Sequence, residues 1–237
     1  MKDTSFYNQE SAQYSSKRYP KIPTSYTQFF FNRRLSIAKK YLAQVVEAEQ
    51  GKRLALLELG CADGVMVREF HRTFPEGFLK LVGIDVSSSM VEEARKQNTI
   101  AEAKFLLRQE YSNRPVVDVI NETGVINYAG FDADIQFVSD NLKPGGWYIL
   151  SIAGTGSLRN KLKGEGGFKD FRSYGEYEKL LCEKFDILRV EGCGFFIPHI
   201  WKIPALARII QGTADSIFGR VLPGLCHEKV FLLRKKQ

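Results

Sequence analysis

The stretch Leu54-Ala55-Leu56-Leu57-Glu58-Leu59-Gly60-Cys61-Ala62-Asp63-Gly64 decides the fold. Its first six residues form a short, nearly continuous apolar run, which reads as a strand buried on both faces. Gly60 lets the chain bend sharply and lets a ligand approach the backbone closely. Gly64 opens a helix to Phe74 with Val67, Phe70 and Phe74 inward, and the free amides of its first turn make a polar rim. A glycine turn alone carries little weight. It gains weight from Asp85, which ends a second expected strand, Leu79–Asp85. In doubly wound sheets an acid at that place accepts hydrogen bonds from ribose hydroxyls, so turn and acid together mark a nucleoside site.

Outward from this unit, strands and helices alternate. Upstream, Phe30, Leu35, Ala38, Leu42 and Val45 recur at helical spacing, so Tyr26–Val46 is expected to be a helix that Gly51 ends. Residues 1–25 are polar, tyrosine-rich and broken by Pro20 and Pro23, and are expected to run over the surface. Downstream, Ser89 and Glu92 have capping-box spacing for a helix to Gln97. Phe105–Arg108 and Val116–Ile120 read as strands three and four, and 133–142 as a helix. Lys143-Pro144-Gly145-Gly146 reads as a turn into a fifth strand, Trp147–Ile152. Ser173 and Glu176 suggest a second capping box opening a helix to Glu183. Phe185–Val190 and Lys229–Arg234 complete seven strands. Strands separated by helices imply a parallel sheet covered on both faces. Between strands six and seven lies an apolar insert, Gly192–Leu225. A helix should start at Pro204 and stop at Gly212, with a second short helix over Thr213–Val221.

The length of 237 residues and a hydrophobic content of 44% fit one α/β domain. The opening residues Met1-Lys2-Asp3-Thr4-Ser5-Phe6 are too polar for a signal peptide, and no apolar run is long enough to cross a bilayer, so cytoplasmic residence is expected. Cys61, Cys182, Cys193 and Cys226 show no metal-binding spacing; they are expected to be buried, reduced thiols, and no metal is expected. The net charge of +7 reads first as a solvated basic face. No interleaving of basic and aromatic residues marks a nucleic-acid surface, so no nucleic-acid partner is expected.

A dinucleotide would want G-x-G-x-x-G so that its pyrophosphate can rest on the helix N-terminus. Here Asp63 puts a carboxylate near any such phosphate. S-adenosylmethionine (SAM) carries no phosphate and is cationic at its sulfonium and ammonium, so Glu58 and Asp63 suit it better. LELGCADG resembles the first motif of class I SAM-dependent methyltransferases, small-molecule type. VGIDVSSSMVEEAR resembles their second strand and following helix. VVDVINETGVINY resembles the fourth-strand segment, and NLKPGGWYILSIAG the turn into the fifth strand. The resemblance implies a Rossmann-like, mostly parallel seven-stranded sheet with an antiparallel last strand, for which Lys229–Arg234 fits. It implies one domain: an N-terminal helical cap or lid over 1–50, a SAM-binding core over 51–191, a substrate-cap insert over 192–225 and the last strand over 226–237.

By position, the resemblance places Gly60, Ala62 and Gly64 along the methionine and ribose, and Glu58 and Met90 among the cofactor-binding residues. Asp85 would hold the ribose and Val86 would lie near adenine. Gln109 or Glu110 would meet the adenine amino group, the choice being open. Asn121 would sit beside the sulfonium, with Glu122 and Tyr128 nearby. Arg34 is a candidate for the SAM carboxylate, and Arg18 and Tyr19 for a lid. A hydroxyl acceptor must lose a proton, and His199, in the apolar insert, is the candidate base. The insert itself has three readings: packing on the sheet edge, the wall of an acceptor pocket, or a lipid-facing surface. The implied activity is methyl transfer to a small molecule at oxygen, such as a sugar, natural product or lipid-linked intermediate. A nucleic-acid or protein methyltransferase, a non-catalytic SAM-binding module and an NAD oxidoreductase are the alternatives. Oligomeric state is not readable from the sequence.

Overall fold

The computed structural model describes residues 10–111, 116–163 and 167–237; the first nine residues of the N-terminal segment lie outside it. In chain order the elements are α1 (Tyr14–Arg18), α2 (Tyr26–Ala48), β1 (Leu54–Leu59), α3 (Val65–Thr73), β2 (Phe78–Asp85), α4 (Ser88–Lys96), β3 (Ala103–Leu107), β4 (Val117–Thr123), α5 (Ile126–Ala129), α6 (Phe131–Asn141), β5 (Leu142–Ala153), α7 (Leu158–Lys163), α8 (Tyr174–Lys184), β6 (Phe185–Cys193), α9 (Pro204–Val221) and β7 (Glu228–Lys235). The seven strands form one sheet in the order β3-β2-β1-β4-β5-β7-β6. Neighbours among β1 to β5 pair parallel, and β7 runs antiparallel to both β5 and β6. The order reverses between β1 and β4, so a ligand crevice is expected outside the carboxyl ends of those two strands.

Alternation along the strands builds two cores. Leu56, Val119, Ile149, Val230 and Leu232 face one side and pack with residues of α2, α3 and α4. Leu57, Leu59, Ile120, Tyr148, Leu150 and Phe231 face the other and pack with residues of α6 and α8. Both faces are therefore covered, as the apolar runs imply.

Several local expectations need correction. Residues 11–18, expected only to run over the surface, form helical turns ahead of Pro20, and Tyr14 and Tyr19 pack against the core beside α2. Burying their rings outweighs the polar character of the segment. Ser89 does not cap α4; Ser87 does, accepting from the Met90 amide at 3.3 Å. The box at Ser173 forms as read, with Glu176 accepting from the Ser173 amide at 2.8 Å. Lys143–Gly146 lies within β5, whose pairing to β4 jumps from Val117–Leu142 to Val119–Trp147. Gly212 does not end a helix: α9 is continuous. A helical glycine costs about 1 kcal/mol relative to alanine, and buried Ala207, Gln211, Asp215 and Gly219 anchor the helix on both sides of it. Among the cysteines, Cys182 is exposed and the other three are buried; all four are free.

Candidate cofactor site

The turn after β1 is hooked over the end of β2, with the Gly60 and Cys61 amides donating to the Ile84 carbonyl at 2.8 and 3.0 Å. Gly60, Ala62 and Gly64 take positive φ of 67°, 48° and 82°. Alanine accepts that geometry at a cost of roughly 1–2 kcal/mol. Its amide donates to Asp85 Oδ2 at 2.9 Å, which fixes the strained residue. A β-carbon on Gly60 would run into the Val125 side chain, and one on Gly64 would meet the Phe105 ring at 2.9 Å. Glycine is therefore required at both positions, where Val125 and Phe105 pack directly against the turn. Asp85 Oδ1 accepts from the Ser87 amide at 2.9 Å, and burial pushes its carboxyl above the usual range. Val86, the next residue, is 68% exposed.

A polar layer sits on top of the core formed with α2. Glu58 and Asn121 are register partners across β1 and β4. Asn121 Nδ2 donates to both Glu58 oxygens, at 2.9 and 2.8 Å. Burial pushes the Glu58 carboxyl well up, against the pull of Asn121 and Arg34. Arg34 comes from α2, its guanidinium over the rings of Phe30 (5.2 Å) and Phe31 (4.6 Å). It pairs with Glu228 at the start of β7 and donates to Tyr19. A β-carbon at Gly124, where φ is +76°, would collide with the same guanidinium. Arg34 Nε and Asn121 Oδ1 are buried without a partner. One donor and one acceptor of this layer are therefore left open.

The N-terminal segment closes on this turn. The Ser15 amide donates to Asp63 Oδ2 at 3.0 Å, and the Ser15 hydroxyl donates to the same oxygen. Asp63 is buried and so joins the segment to the turn.

Residues 57–148 match the family model of a methyltransferase domain. Solved structures share the whole architecture at low identity. Magnesium protoporphyrin IX methyltransferase (ChlM) from Synechocystis PCC 6803, with bound S-adenosylhomocysteine (SAH), is 15% identical with a TM-score of 0.66, covering 99% of this chain and 98% of that one. The plantazolicin methyltransferase BpumL, with a triazolic desmethylPZN analog and SAH, is 18% identical with a TM-score of 0.59, covering 97% and 90%. An S-adenosylmethionine dependent methyltransferase from Mesorhizobium loti is 17% identical with a TM-score of 0.55, covering 84% and 99%. No curated protein sequence matches the chain. Residues 57–148 thus resemble a methyltransferase domain, set in a chain whose fold these solved methyltransferases share.

The chain gathers Glu58, Gly60, Ala62, Gly64, Asp85, Val86, Asn121 and Arg34 around the carboxyl ends of β1, β2 and β4. Met90 is buried in the first turn of α4. Gln109 and Glu110 lie in a 3-10 turn after β3, both exposed. Glu110 is engaged by the Leu107 amide (2.8 Å) and Arg95 (3.2 Å). Glu122 points to the opposite face of the sheet from Asn121, where the Tyr148 hydroxyl donates to it at 2.5 Å. The reading that put Glu122 beside Asn121 is corrected by the strand's period of two. Tyr128 packs on Phe168 at 5.1 Å. Arg18 stacks on Tyr14 at 4.2 Å in the closing segment. His199 is exposed at the surface with φ of +61°.

Sequence reading did not single out Ser15, Gly124 or Glu228. Only Gly124 carried a local signal, a glycine directly after a strand. His227 is 9% exposed, and its ring lies 4.5 Å from that of Phe30. Its Nδ1 is buried without a partner, and burial pushes its pKa well down, keeping it neutral. Among the described residues no group of three or more His, Cys, Asp or Glu side chains is placed to hold a metal ion, and no helix is long and apolar enough to cross a membrane.

Proposed function

We propose that this methyltransferase transfers a methyl group to an oxygen of a small-molecule acceptor. The observation that carries the reading is the Ser15–Asp63 junction: the N-terminal segment is bonded to the cofactor turn itself. An acceptor must enter a site roofed by that segment, which suits a small molecule better than a duplex or a folded protein. The names of the porphyrin and plantazolicin enzymes, which share the fold, point the same way.

SAM, when bound, supplies an electrophilic methyl on a sulfonium. Arg34, with Nε open, would hold the carboxylate by a charge-assisted contact. Glu58 and the open Asn121 Oδ1 would receive the ammonium. Asp85 would take the ribose hydroxyls, Val86 would cover adenine, and Gln109, free of the contacts that occupy Glu110, would meet its amino group. The bare backbone of Gly60–Gly64 gives close approach. Aligning the reactants and excluding water supply most of what such a displacement needs. The 1–50 cap and the 192–225 insert would provide the roof and far wall. The acceptor hydroxyl must release a proton, and a neutral imidazole can take it. His227, one aromatic ring from Arg34, fits that role better than exposed His199.

Calorimetric titration with SAM, SAH and NAD tests the cofactor. Both sulfur ligands should bind, and NAD should not. Transfer of labelled methyl from SAM into a cell extract, followed by size separation, tests the acceptor. Label in the low-mass fraction supports the proposal; label confined to protein or nucleic acid overturns it.

A further inference from the structure

Helix α9 is built inside out. Its buried positions are Ala207, Gln211, Asp215 and Gly219, one small or polar residue every four. Of its large apolar residues, Leu206, Ile209, Ile210, Ile217 and Val221 are exposed, Ile209 at 70%, and Phe218 alone is half-buried, stacked on Phe195 at 4.2 Å. An ordinary surface helix shows the reverse arrangement. The inversion is enforced by specific contacts. Asp215 is fully buried, pairs with Arg33 at 2.8 Å and accepts from the Phe195 amide at 2.7 Å. Gln211 donates to the Phe195 carbonyl. A β-carbon at Gly219 would lie 2.6 Å from the Gly192 carbonyl oxygen, so only this face of the helix can seat on β6. Rotating the helix to bury its isoleucines would strand Asp215 and break the Arg33 pair.

From Leu206 to Val221 the exposed stripe runs about 22 Å along the 18-residue helix, at 1.5 Å per residue. Exposed Ile203 and Leu222 extend it at either end. Its charges are of one sign. Lys202 and Arg220 are exposed at its two ends, and the only acid on the helix is the buried, paired Asp215. Arg208 donates to the Pro23 carbonyl, which joins the helix to a loop carrying exposed Lys21 and Ile22.

We propose that α9 is a membrane-docking element that seats this enzyme on the surface of an anionic lipid bilayer, its apolar stripe at the acyl boundary and Lys202, Arg220 and Lys21 among the headgroups. Charge selects this occupant. An apolar face rimmed by cations matches an anionic interface. A two-fold pairing of the same face would set cationic rims against each other, because such an interface repeats one patch on both partners. The proposal is independent of the acceptor reading, since none of these residues belongs to the cofactor site.

Co-sedimentation of the full chain with vesicles tests it. Binding is expected to vesicles containing phosphatidylglycerol, to weaken at least tenfold on phosphatidylcholine alone, and to fall with added salt. Ile209→Ser combined with Ile217→Ser, both at exposed positions, should reduce binding at least tenfold while far-UV circular dichroism and SAH affinity stay unchanged. Lys202→Glu with Arg220→Glu should do the same. Failure of the parent chain to bind anionic vesicles at low salt overturns the proposal. So does a concentration-dependent dimer that Ile209→Ser and Ile217→Ser abolish, which would assign the stripe to a second copy.

Discussion

Arg34 Nη1 lies 3.2 Å from Glu228 Oε1, and both side chains are buried. Neither is near the other in sequence, and Arg34 keeps an open Nε. Removing one partner of a buried pair leaves an uncompensated charge and costs about 3–5 kcal/mol. Glu228→Gln should therefore lower stability by about 3 kcal/mol. A ligand carboxylate on Arg34 would restore the missing countercharge. Saturating SAH should thus raise the Tm of Glu228→Gln by more than it raises that of the parent; an equal shift would remove Arg34 from the carboxylate site.

Asp85 holds the Ala62 and Ser87 amides at once. Asp85→Ala should weaken SAH binding at least tenfold by calorimetry, because it removes the proposed ribose acceptor and loosens the left-handed Ala62. Asp85→Asn keeps one acceptor oxygen and should lose less. Unchanged affinity in Asp85→Ala would move the nucleoside elsewhere.

His227 is held neutral by burial, its pKa depressed from an ordinary value near 6.5. The unfolded chain binds a proton below that value and the folded chain does not. His227 thus contributes a stability that is present above pH 6.5 and lost as the pH falls from there toward its folded pKa. Denaturant midpoints between pH 7.5 and pH 5, roughly spanning that ordinary value, should fall for the parent and fall less for His227→Gln. If His227 also accepts the acceptor's proton, His227→Gln lowers kcat and leaves SAH affinity intact.

Ser15 anchors the closing segment through its amide and its hydroxyl on one Asp63 oxygen. Ser15→Ala retains the amide bond, so the loss in stability should be about 1 kcal/mol or less. Asp63→Asn weakens both contacts and should make the segment around α1 more sensitive to limited proteolysis. Equal cleavage of parent and variant would show that this junction does not hold the segment down.

The sheet was legible because its signal is local. Each strand is an apolar run, and Gly60, Gly64 and Asp85 stand at fixed places on those runs. The Ser173 box was legible for the same reason, both partners lying within one helical turn. The helix stop at Gly212 was misread because a local glycine cost of about 1 kcal/mol was weighed without the buried Gln211 and Asp215 that hold α9 to β6. Glu122 was misplaced because adjacency in sequence was taken for adjacency on a strand face. Glu228, His227 and Ser15 carry no local pattern at all. Their roles come from packing between segments far apart in the chain. The outward face of α9 was visible as apolar, but only the buried polar anchors show which side it turns to the protein.

The pairing of Glu58 with Asn121 joins residues 63 apart, and that of Arg34 with Glu228 joins residues 194 apart. A growing chain therefore exposes the glycine turn long before the other half of its polar floor exists. The first Rossmann-like unit, through β2 and β3, holds Asp85 but lacks Asn121 and Glu228. The layer is complete only when β7 has threaded between β5 and β6. A chain that stops short of residue 228 therefore lacks the partner of Arg34, and its guanidinium would lie buried with no countercharge from β7.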